Sequence, residues 1–382
     1  MPWLNPIFTV LLELKSNIVF ILTNLFKTDI CKYAAKVGAI KMDSDAPYGQ
    51  LGRAIAVGDF NGDGQREIAV SAPYFSNLQN IQAGIVYILS VKGLKSGLIQ
   101  QNANYSLSIN DTYVSRFGYS LAVVDLNMDG IDDLAVSAPT SHGTSLNYLG
   151  EVYVFFGSNH GLGKIPNVTI SSPFPTQTPH VPGGKWDSQF NVLGEKLKCI
   201  DLDNDGFKDL LIGSPHTTTS PAAFQRGRVS AFYAASGHYG SLSVNDADWY
   251  LEGSQNYELF GYSFEISYNL LKPILLIGSP GYREEDQTQG RIYAFNLDGR
   301  KMPTLCFTIN SNTSSQFGQS LAISDFYGTG ESILAVSSSV EVLYMALIQQ
   351  KSIEPDPSFI LFPGLLLRSD NKGFQAGSIR FI

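Results

Sequence analysis

Along most of the chain, short apolar runs alternate with clusters of Gly, Pro, Asn and Asp, and the alternation repeats in register. A Leu-Gly or Phe-Gly pair opens each unit, at Leu51-Gly52, Phe117-Gly118 and Leu193-Gly194. An apolar run, an acidic loop and a second apolar run follow, the last ending in Ser71 to Pro73, Ser137 to Pro139 and Gly213 to Pro215. In all three units 19 positions separate the opening glycine from the first residue of that tripeptide. A third run then begins at a glycine, Gly84, Gly150 or Gly227. Two further units keep the frame without the acids. Phe260-Gly261 leads to Gly278-Ser279-Pro280 and then Gly290, over a loop two residues shorter. Phe317-Gly318 leads, 19 positions on, to Ser337 and then Val342-Leu343-Tyr344, with Asp325 the one acid kept at the loop start. Phe374 to Gly377 reads as the start of a sixth unit.

The runs are rich in Val, Ile, Tyr and Phe and bounded by turn residues, which predicts strands. Several, such as Ile85 to Leu89 and Leu210 to Ile212, are apolar at consecutive positions, the pattern of a strand covered on both faces. Units of about 60 residues with three or four strands fit the blades of a β-propeller, whose sheets stack radially, whereas solenoid repeats built on one strand are much shorter. The expected fold is therefore all-β: a propeller over residues 47–382 with five blades and part of a sixth. Residues 1–46 differ. Their apolar positions, from Leu4 to Phe26, keep mostly to helical spacing, and Ile30 to Val37 reads as a second short helix. The expectation is a helical segment left from a preceding domain. Its uncharged stretches, such as the 11 residues from Ser16 to Phe26, fall short of the roughly 20 that a spanning helix needs. A signal peptide fits poorly, because the first ten residues lack positive charge and Glu13 and Lys15 interrupt the apolar stretch.

The chemistry is concentrated in three loops that match position for position. Asp59, Asn61, Asp63 and Glu67 of the first loop correspond to Asp125, Asn127, Asp129 and Asp133 of the second, and to Asp201, Asp203, Asp205 and Asp209 of the third. These residues hold loop positions 1, 3, 5 and 9, and glycine holds position 6. Gln65, Ile131 and Phe207 stand at position 7, where a hard-cation loop uses a backbone carbonyl. Two unit charges about 4 Å apart repel by roughly 4 kcal/mol at an effective dielectric near 20, and a divalent cation reverses the sign of that interaction. Oxygen donors without His or Cys select a hard ion, so the loops predict up to three Ca²⁺ sites, with dissociation constants on the order of 10⁻⁴ to 10⁻³ M. The loops differ from an EF-hand in having strands on either side and the last acid at position 9. A metal-free Asx-rich hairpin is the plainer alternative.

The remaining composition narrows the function. A net charge of −8 with no Lys/Arg run argues against a nucleic-acid surface. Cys31, Cys199 and Cys306 lie far apart and suggest buried free thiols rather than a disulfide framework. The histidines at 142, 160, 180, 216 and 238 are scattered through predicted loops without the paired spacing of a zinc site, and read as exposed loop residues. Ser71, Ser137 and Ser279 recur at a strand-ending turn rather than in a nucleophile elbow. Sequons at Asn104, Asn110, Asn167 and Asn312 add a weak pointer to secretion. Pro166 to Gly184 reads as an insertion between the second and third blades.

With these motifs in view, the chain resembles the FG-GAP repeats of integrin α subunits and of glycosylphosphatidylinositol-specific phospholipase D. Segments beyond the repeat consensus, such as Asn167 to Ser171 and Ala247 to Gly253 leading into Leu259 to Ser263, bring it closer to the phospholipase family. The resemblance covers about residues 46 to 347. It implies an extracellular protein in which a helical, Zn²⁺-dependent catalytic domain cleaves the inositol-phosphate bond of lipid anchors and a propeller with calcium loops follows. On that basis the expected partners are GPI-anchored proteins and the catalytic domain, and no catalytic residue of that domain has a match in this chain. The family propeller has seven blades, more than the five and a fragment seen here. The alternative is a non-catalytic, integrin-like, calcium-dependent adhesion module.

Overall fold

A computed structural model describes the backbone of residues 19–21, 40–46, 48–76, 81–109, 114–141, 150–172, 192–218, 223–268, 273–284, 287–311, 316–324, 332–338, 341–349, 359–363 and 367–368. Strands dominate: among the described residues, helix is limited to one turn at Ile99–Asn102 and two 3₁₀ turns. Each repeat folds as one antiparallel sheet of four strands in chain order. Blade 1 comprises Ile55–Gly58, Glu67–Ala72, Ile85–Ser90 and Tyr105–Leu107. Blade 2 comprises Leu121–Val124, Asp133–Ala138, Glu151–Phe155 and Val168–Ser171, and blade 3 Lys196–Ile200, Asp209–Ser214, Arg228–Phe232 and Trp249–Glu252. Blade 4 comprises Ser263–Ser267, Ile274–Ser279, Arg291–Asn296 and Thr304–Asn310, and blade 5 Ser320–Ser324, Ser332–Ser337, Glu341–Gln349 and Phe359–Pro363. The first strands of successive blades lie against one another, blade 1 on 2, 2 on 3 and 4 on 5. This is the radial stacking of propeller blades. No sheet closes on itself among the described residues.

Stacking explains the consecutive apolar positions. In blade 1, Ala69 packs into the core shared with Leu134 and Val136 of blade 2, while its neighbours Ile68 and Val70 face a second cluster with Leu51, Tyr87 and Ile99. In blade 3, Leu210 and Ile212 face blade 2, and Leu211 faces Leu275 and Ile277 of blade 4. Every residue of the second strands of blades 1 to 4 is buried. Burying apolar surface on both faces at about 25 cal/mol per Å² is what stabilises so strand-rich a chain.

The repeat motifs have equally concrete causes. In blades 1, 2 and 5 the N–H of the opening glycine donates to the carbonyl 19 residues on, Gly52 to Ser71 at 2.8 Å, Gly118 to Ser137 at 2.9 Å and Gly318 to Ser337 at 3.1 Å, so the constant spacing is the length of a closed hairpin; in blade 3 Gly194 donates instead to the Ser214 hydroxyl. The shorter blade 4 unit keeps the bond, from Gly261 to Gly278. Ser71 and Ser137 use their hydroxyls to accept from Ala54 and Ser120, which is the structural role their recurrence suggests. The glycine before each third strand receives the next blade's opening pair: a Cβ on Gly84 would sit 2.2 Å from the Phe117 carbonyl oxygen, and one on Gly227 2.2 Å from that of Phe260. Phe260 then packs edge-on against Tyr293 and Phe295 of its own blade, as Phe117 packs against Tyr153 and Phe155.

Several expectations need adjusting. Within residues 1–46, Val19–Ile21 pairs antiparallel with Ile40–Asp43, so these positions are strand rather than helix. Their β-branched and aromatic residues suit a pleated ladder. The expected helix at 30–37 and most of that segment lie outside the described residues, as do the loop of the fifth unit, the sixth repeat and Cys31. Part of the expected insertion after Pro166 is the fourth strand of blade 2, with Val168 and Ile170 alternating inward. Against it runs a parallel strand, Gly240–Ser243, contributed by blade 3. The thiols of Cys199 and Cys306 are free and half-buried. No helix among the described residues is long and apolar enough to cross a membrane.

Candidate metal centre

Each acidic loop joins the first strand of its blade to the second, and one hydrogen-bond plan shapes all three. The position 1 aspartate accepts from the N–H groups of positions 5 and 6: Asp59 from Asp63 and Gly64, Asp125 from Asp129 and Gly130, Asp201 from Asp205 and Gly206, all between 2.8 and 3.2 Å. The position 5 aspartates, Asp63, Asp129 and Asp205, accept from the position 7 N–H of Gln65, Ile131 and Phe207. Glycine at position 6 is left-handed in every copy, with φ of +80°, +85° and +94°. Position 4 is left-handed too, at Gly62, Met128 and Asn204, a feature that glycine and asparagine permit and that the sequence conceals at the methionine.

Position 9 anchors the loop to the core. Glu67, Asp133 and Asp209 are buried and accept from the N–H of position 2, from Phe60 at 3.0 Å, Leu126 at 2.8 Å and Leu202 at 2.8 Å. Asp133 and Asp209 accept a second N–H from the end of the third strand, Gly157 at 2.8 Å and Ala234 at 3.0 Å. Phe60, Leu126 and Leu202 are themselves buried between blades, so each loop is pinned at its second and ninth residues. Burial pushes the Asp133 and Asp209 carboxyls up to about 7, against the two N–H bonds and helped by the neighbouring loop aspartates. Burial also raises Glu67 and Asp125 above the ordinary carboxylate range. Buried acids held beside like charges are costly as anions, and a bound cation would remove that cost.

Position 3 separates the loops. Asn61 and Asn127 donate their amides to the position 5 carboxylates, at 3.3 Å to Asp63 and 2.8 Å to Asp129. In loop 3 the residue is Asp203, and carboxylate oxygens of Asp201, Asp203 and Asp209 all lie within 4.8 Å of one another. Oxygens bound about 2.3–2.6 Å from one shared hard cation are separated by no more than roughly twice that distance. The donor set of loop 3 thus fits such an ion in both chemistry and spacing. Each carboxylate has about four acceptor positions, so two N–H bonds leave Asp209 free to ligate. Loops 1 and 2 bring the same positions into the same hairpin.

The histidines stand apart from these loops. His216 pairs with Glu195 at 2.8 Å and His238 with Asp248 at 2.9 Å, so these two are partly buried and partnered rather than exposed; His160 is exposed. His142 and His180 lie outside the described residues. Two sequon asparagines, Asn104 and Asn167, hold equivalent places at the start of fourth strands, where their carbonyls accept from Ser90 and Phe156.

Comparison with known proteins agrees with this architecture. A family model described as FG-GAP repeat matches residues 51–89 and 117–155, the cores of blades 1 and 2 with their loops. Phosphatidylinositol-glycan-specific phospholipase D of Mus musculus is 34% identical over 272 residues, 67% of this chain and 31% of that protein. The Dictyostelium discoideum protein of the same name is 30% identical over 330 residues, 76% of this chain and 33% of its own length. Integrin alpha-5 of Xenopus laevis is 31% identical over 238 residues, 60% of this chain and 20% of that protein. The chain therefore spans about a third of the length of these phospholipase relatives. Over its repeats, the chain is a homologue of the phosphatidylinositol-glycan-specific phospholipase D proteins, built from the FG-GAP repeat that its integrin α homologues share.

Proposed function

We propose that the chain is a calcium-binding propeller that serves a GPI-anchor-directed phospholipase as its scaffold and docking part, in an extracellular setting. The observation that carries the calcium reading is the recurrence, three times in one hairpin position, of the same oxygen-only constellation around buried acids whose ionised form is costly without a cation. Asp59, Asn61, Asp63 and Glu67 would hold the first ion, Asp125, Asn127, Asp129 and Asp133 the second, and Asp201, Asp203, Asp205 and Asp209 the third. The position 7 carbonyls of Gln65, Ile131 and Phe207 would complete each set. The ions are structural: they supply fixed positive charge that sets the hairpin against the second strand. We assign anchor hydrolysis to no residue of these repeats. Its Zn²⁺ chemistry and its substrates, GPI-anchored proteins, are expected of a helical catalytic domain.

Thermal unfolding in EDTA and in millimolar CaCl₂ tests the metal reading. Calcium should raise the midpoint while equimolar Mg²⁺ raises it far less, because the smaller ion demands near-ideal octahedral geometry. Coincident midpoints in all three conditions would remove calcium from the account. Incubating the purified chain with membranes carrying a GPI-anchored reporter tests the docking part. Retention of the chain on those membranes without release of the reporter is expected, and release would move catalysis into the repeats. The integrin α homology supports a second reading, an adhesion module. It would be favoured if the chain bound equally to membranes stripped of anchored proteins but coated with matrix protein.

A further inference from the structure

At loop positions 1, 3, 5 and 9, loop 3 carries one more carboxylate than either of its copies, since Asp203 replaces the asparagine found at Asn61 and Asn127. That asparagine gives its amide N–H to Oδ2 of the position 5 aspartate in loops 1 and 2. Asp203 has no such proton to give. In loop 3 the position is served from another blade: Arg300, in the turn between the third and fourth strands of blade 4, donates Nε to Asp203 Oδ2 at 2.6 Å and Nη2 to Asp205 Oδ2 at 3.2 Å. The same Oδ2 acceptor at position 5 is satisfied, now by a guanidinium. The Asp203 side chain is only 4% exposed while that of Arg300 is 49% exposed, so the arginine lies over the carboxylate on its open side.

The turn that carries Arg300 is fixed in place. The Tyr233 hydroxyl donates to the Gly299 carbonyl at 3.4 Å, its ring lies 5.8 Å from the Arg300 guanidinium, and Trp249 Nε1 donates to the same hydroxyl at 2.8 Å. From this geometry we infer that Arg300 is a tethered counter-cation of loop 3: it holds the loop to blade 4 when no metal is bound and competes with calcium for Asp203 and Asp205. The inference rests on the calcium reading of the loops. Because the arginine is intramolecular, it faces the loop at high effective concentration, and a weakly binding ion must displace it. Loop 3 therefore couples metal occupancy to the joint between blades 3 and 4 through its position 3 and position 5 carboxylates, whereas loops 1 and 2 link those two positions through their own amides.

Calorimetric titration of the whole chain with CaCl₂, comparing wild type with Arg300→Gln, tests this. One of the three binding steps should tighten by about two- to fivefold, the range of an exposed, screened ion pair, and the other two should stay put. Arg300→Lys, which keeps the charge but loses the fork geometry, should shift that step less. In EDTA the Arg300→Gln protein should melt below wild type. An unchanged or weakened third step in Arg300→Gln overturns the competition. Absence of binding heat from both proteins would instead overturn the calcium reading, and the competition with it.

Discussion

Replacing Asp209 by asparagine separates its role as a hydrogen-bond acceptor from the charged-ligand role proposed for it. The carboxyl is fully buried and pushed up to about 7 from an ordinary value of 3.8. Keeping it ionised at pH 8 therefore costs the metal-free fold about 4 kcal/mol. Asparagine removes that cost and retains one acceptor oxygen, which leaves one of the two N–H donors, Leu202 or Ala234, without a partner. A buried unsatisfied N–H costs about 1–3 kcal/mol. In EDTA at pH 8 the Asp209→Asn protein should thus be more stable than wild type by about 1–3 kcal/mol. Calcium reverses the comparison. An ion present at a hundred times its dissociation constant stabilises wild type by about 2.7 kcal/mol through loop 3, and the variant loses that contribution.

The assay is urea unfolding followed by tryptophan fluorescence, for both proteins, in EDTA and in CaCl₂, at pH 8 and pH 5. The variant should lead in EDTA at pH 8, lose its lead at pH 5 where the wild-type carboxyl is already neutral, and fall level with or below wild type in calcium. A variant destabilised by the same amount in EDTA and in calcium refutes the reasoning, because it would make Asp209 an acceptor and nothing more.

Three further outcomes follow from the same structure. Asp133 and Asp209 have folded-state values near 7, above those of the unfolded chain, so their contribution is fully present below about pH 4 and is lost as pH rises through 7; chelated protein should lose stability over that window, and calcium binding below pH 7 should release protons, read as a buffer-dependent heat. Gly227→Ala should destabilise by roughly 2–4 kcal/mol, because φ is +83° and the new Cβ would meet the Phe260 backbone at 2.2 Å; a near-neutral denaturation midpoint would contradict the blade contact. Phe260→Ala should cost about 3–5 kcal/mol by emptying a site bounded by Tyr293 and Phe295, measurable in the same unfolding experiment.

The fold was largely legible because its determinants are periodic. The 19-residue spacing, the glycine before each third strand and the doubly apolar second strands all recur, and each maps to one contact in the structure, such as Gly118 to Ser137 or Gly84 to Phe117. The shared hairpin geometry of the three acidic loops was legible for the same reason. What stayed hidden depends on contacts distant in sequence. The parallel strand Gly240–Ser243 joins blade 2 although it belongs to blade 3, and nothing in Gly-Ser-Leu-Ser announces it. Met128 adopts left-handed backbone because flanking hydrogen bonds impose it, not because its residue type favours it, whereas asparagine, as at Asn204, enters that region more readily. Arg300 lies 97 positions from Asp203, in a turn that looks like ordinary polar surface. The N-terminal apolar spacing suggested helix, yet Val19–Ile21 finds a strand partner, and partnering overrides a weak periodic signal.

The loops lie at joints between blades, and this decides where calcium should be felt. The Asp59 N–H donates to Asp132 of the neighbouring blade at 2.8 Å, and the Asp132 N–H returns to the Asp59 carbonyl at 3.1 Å. Across the joint between blades 3 and 4, the Tyr268 hydroxyl donates to the Asp201 carbonyl at 2.8 Å. Each loop's second residue, Phe60, Leu126 or Leu202, sits in an inter-blade core. Displacing a loop therefore disturbs packing with a neighbouring blade as well as its own hairpin. Blades 4 and 5 lack the acidic set and are joined through apolar contacts such as Ile292 with Phe317 and Leu334. Amide hydrogen exchange in EDTA and in calcium should accordingly show protection gained in the first and second strands of blades 1 to 3, with little change in Ser320–Ser324 and Ser332–Ser337. Equal protection across all five blades would mean that the ion acts on global stability alone, and the loops would then have no special hold on the joints they occupy.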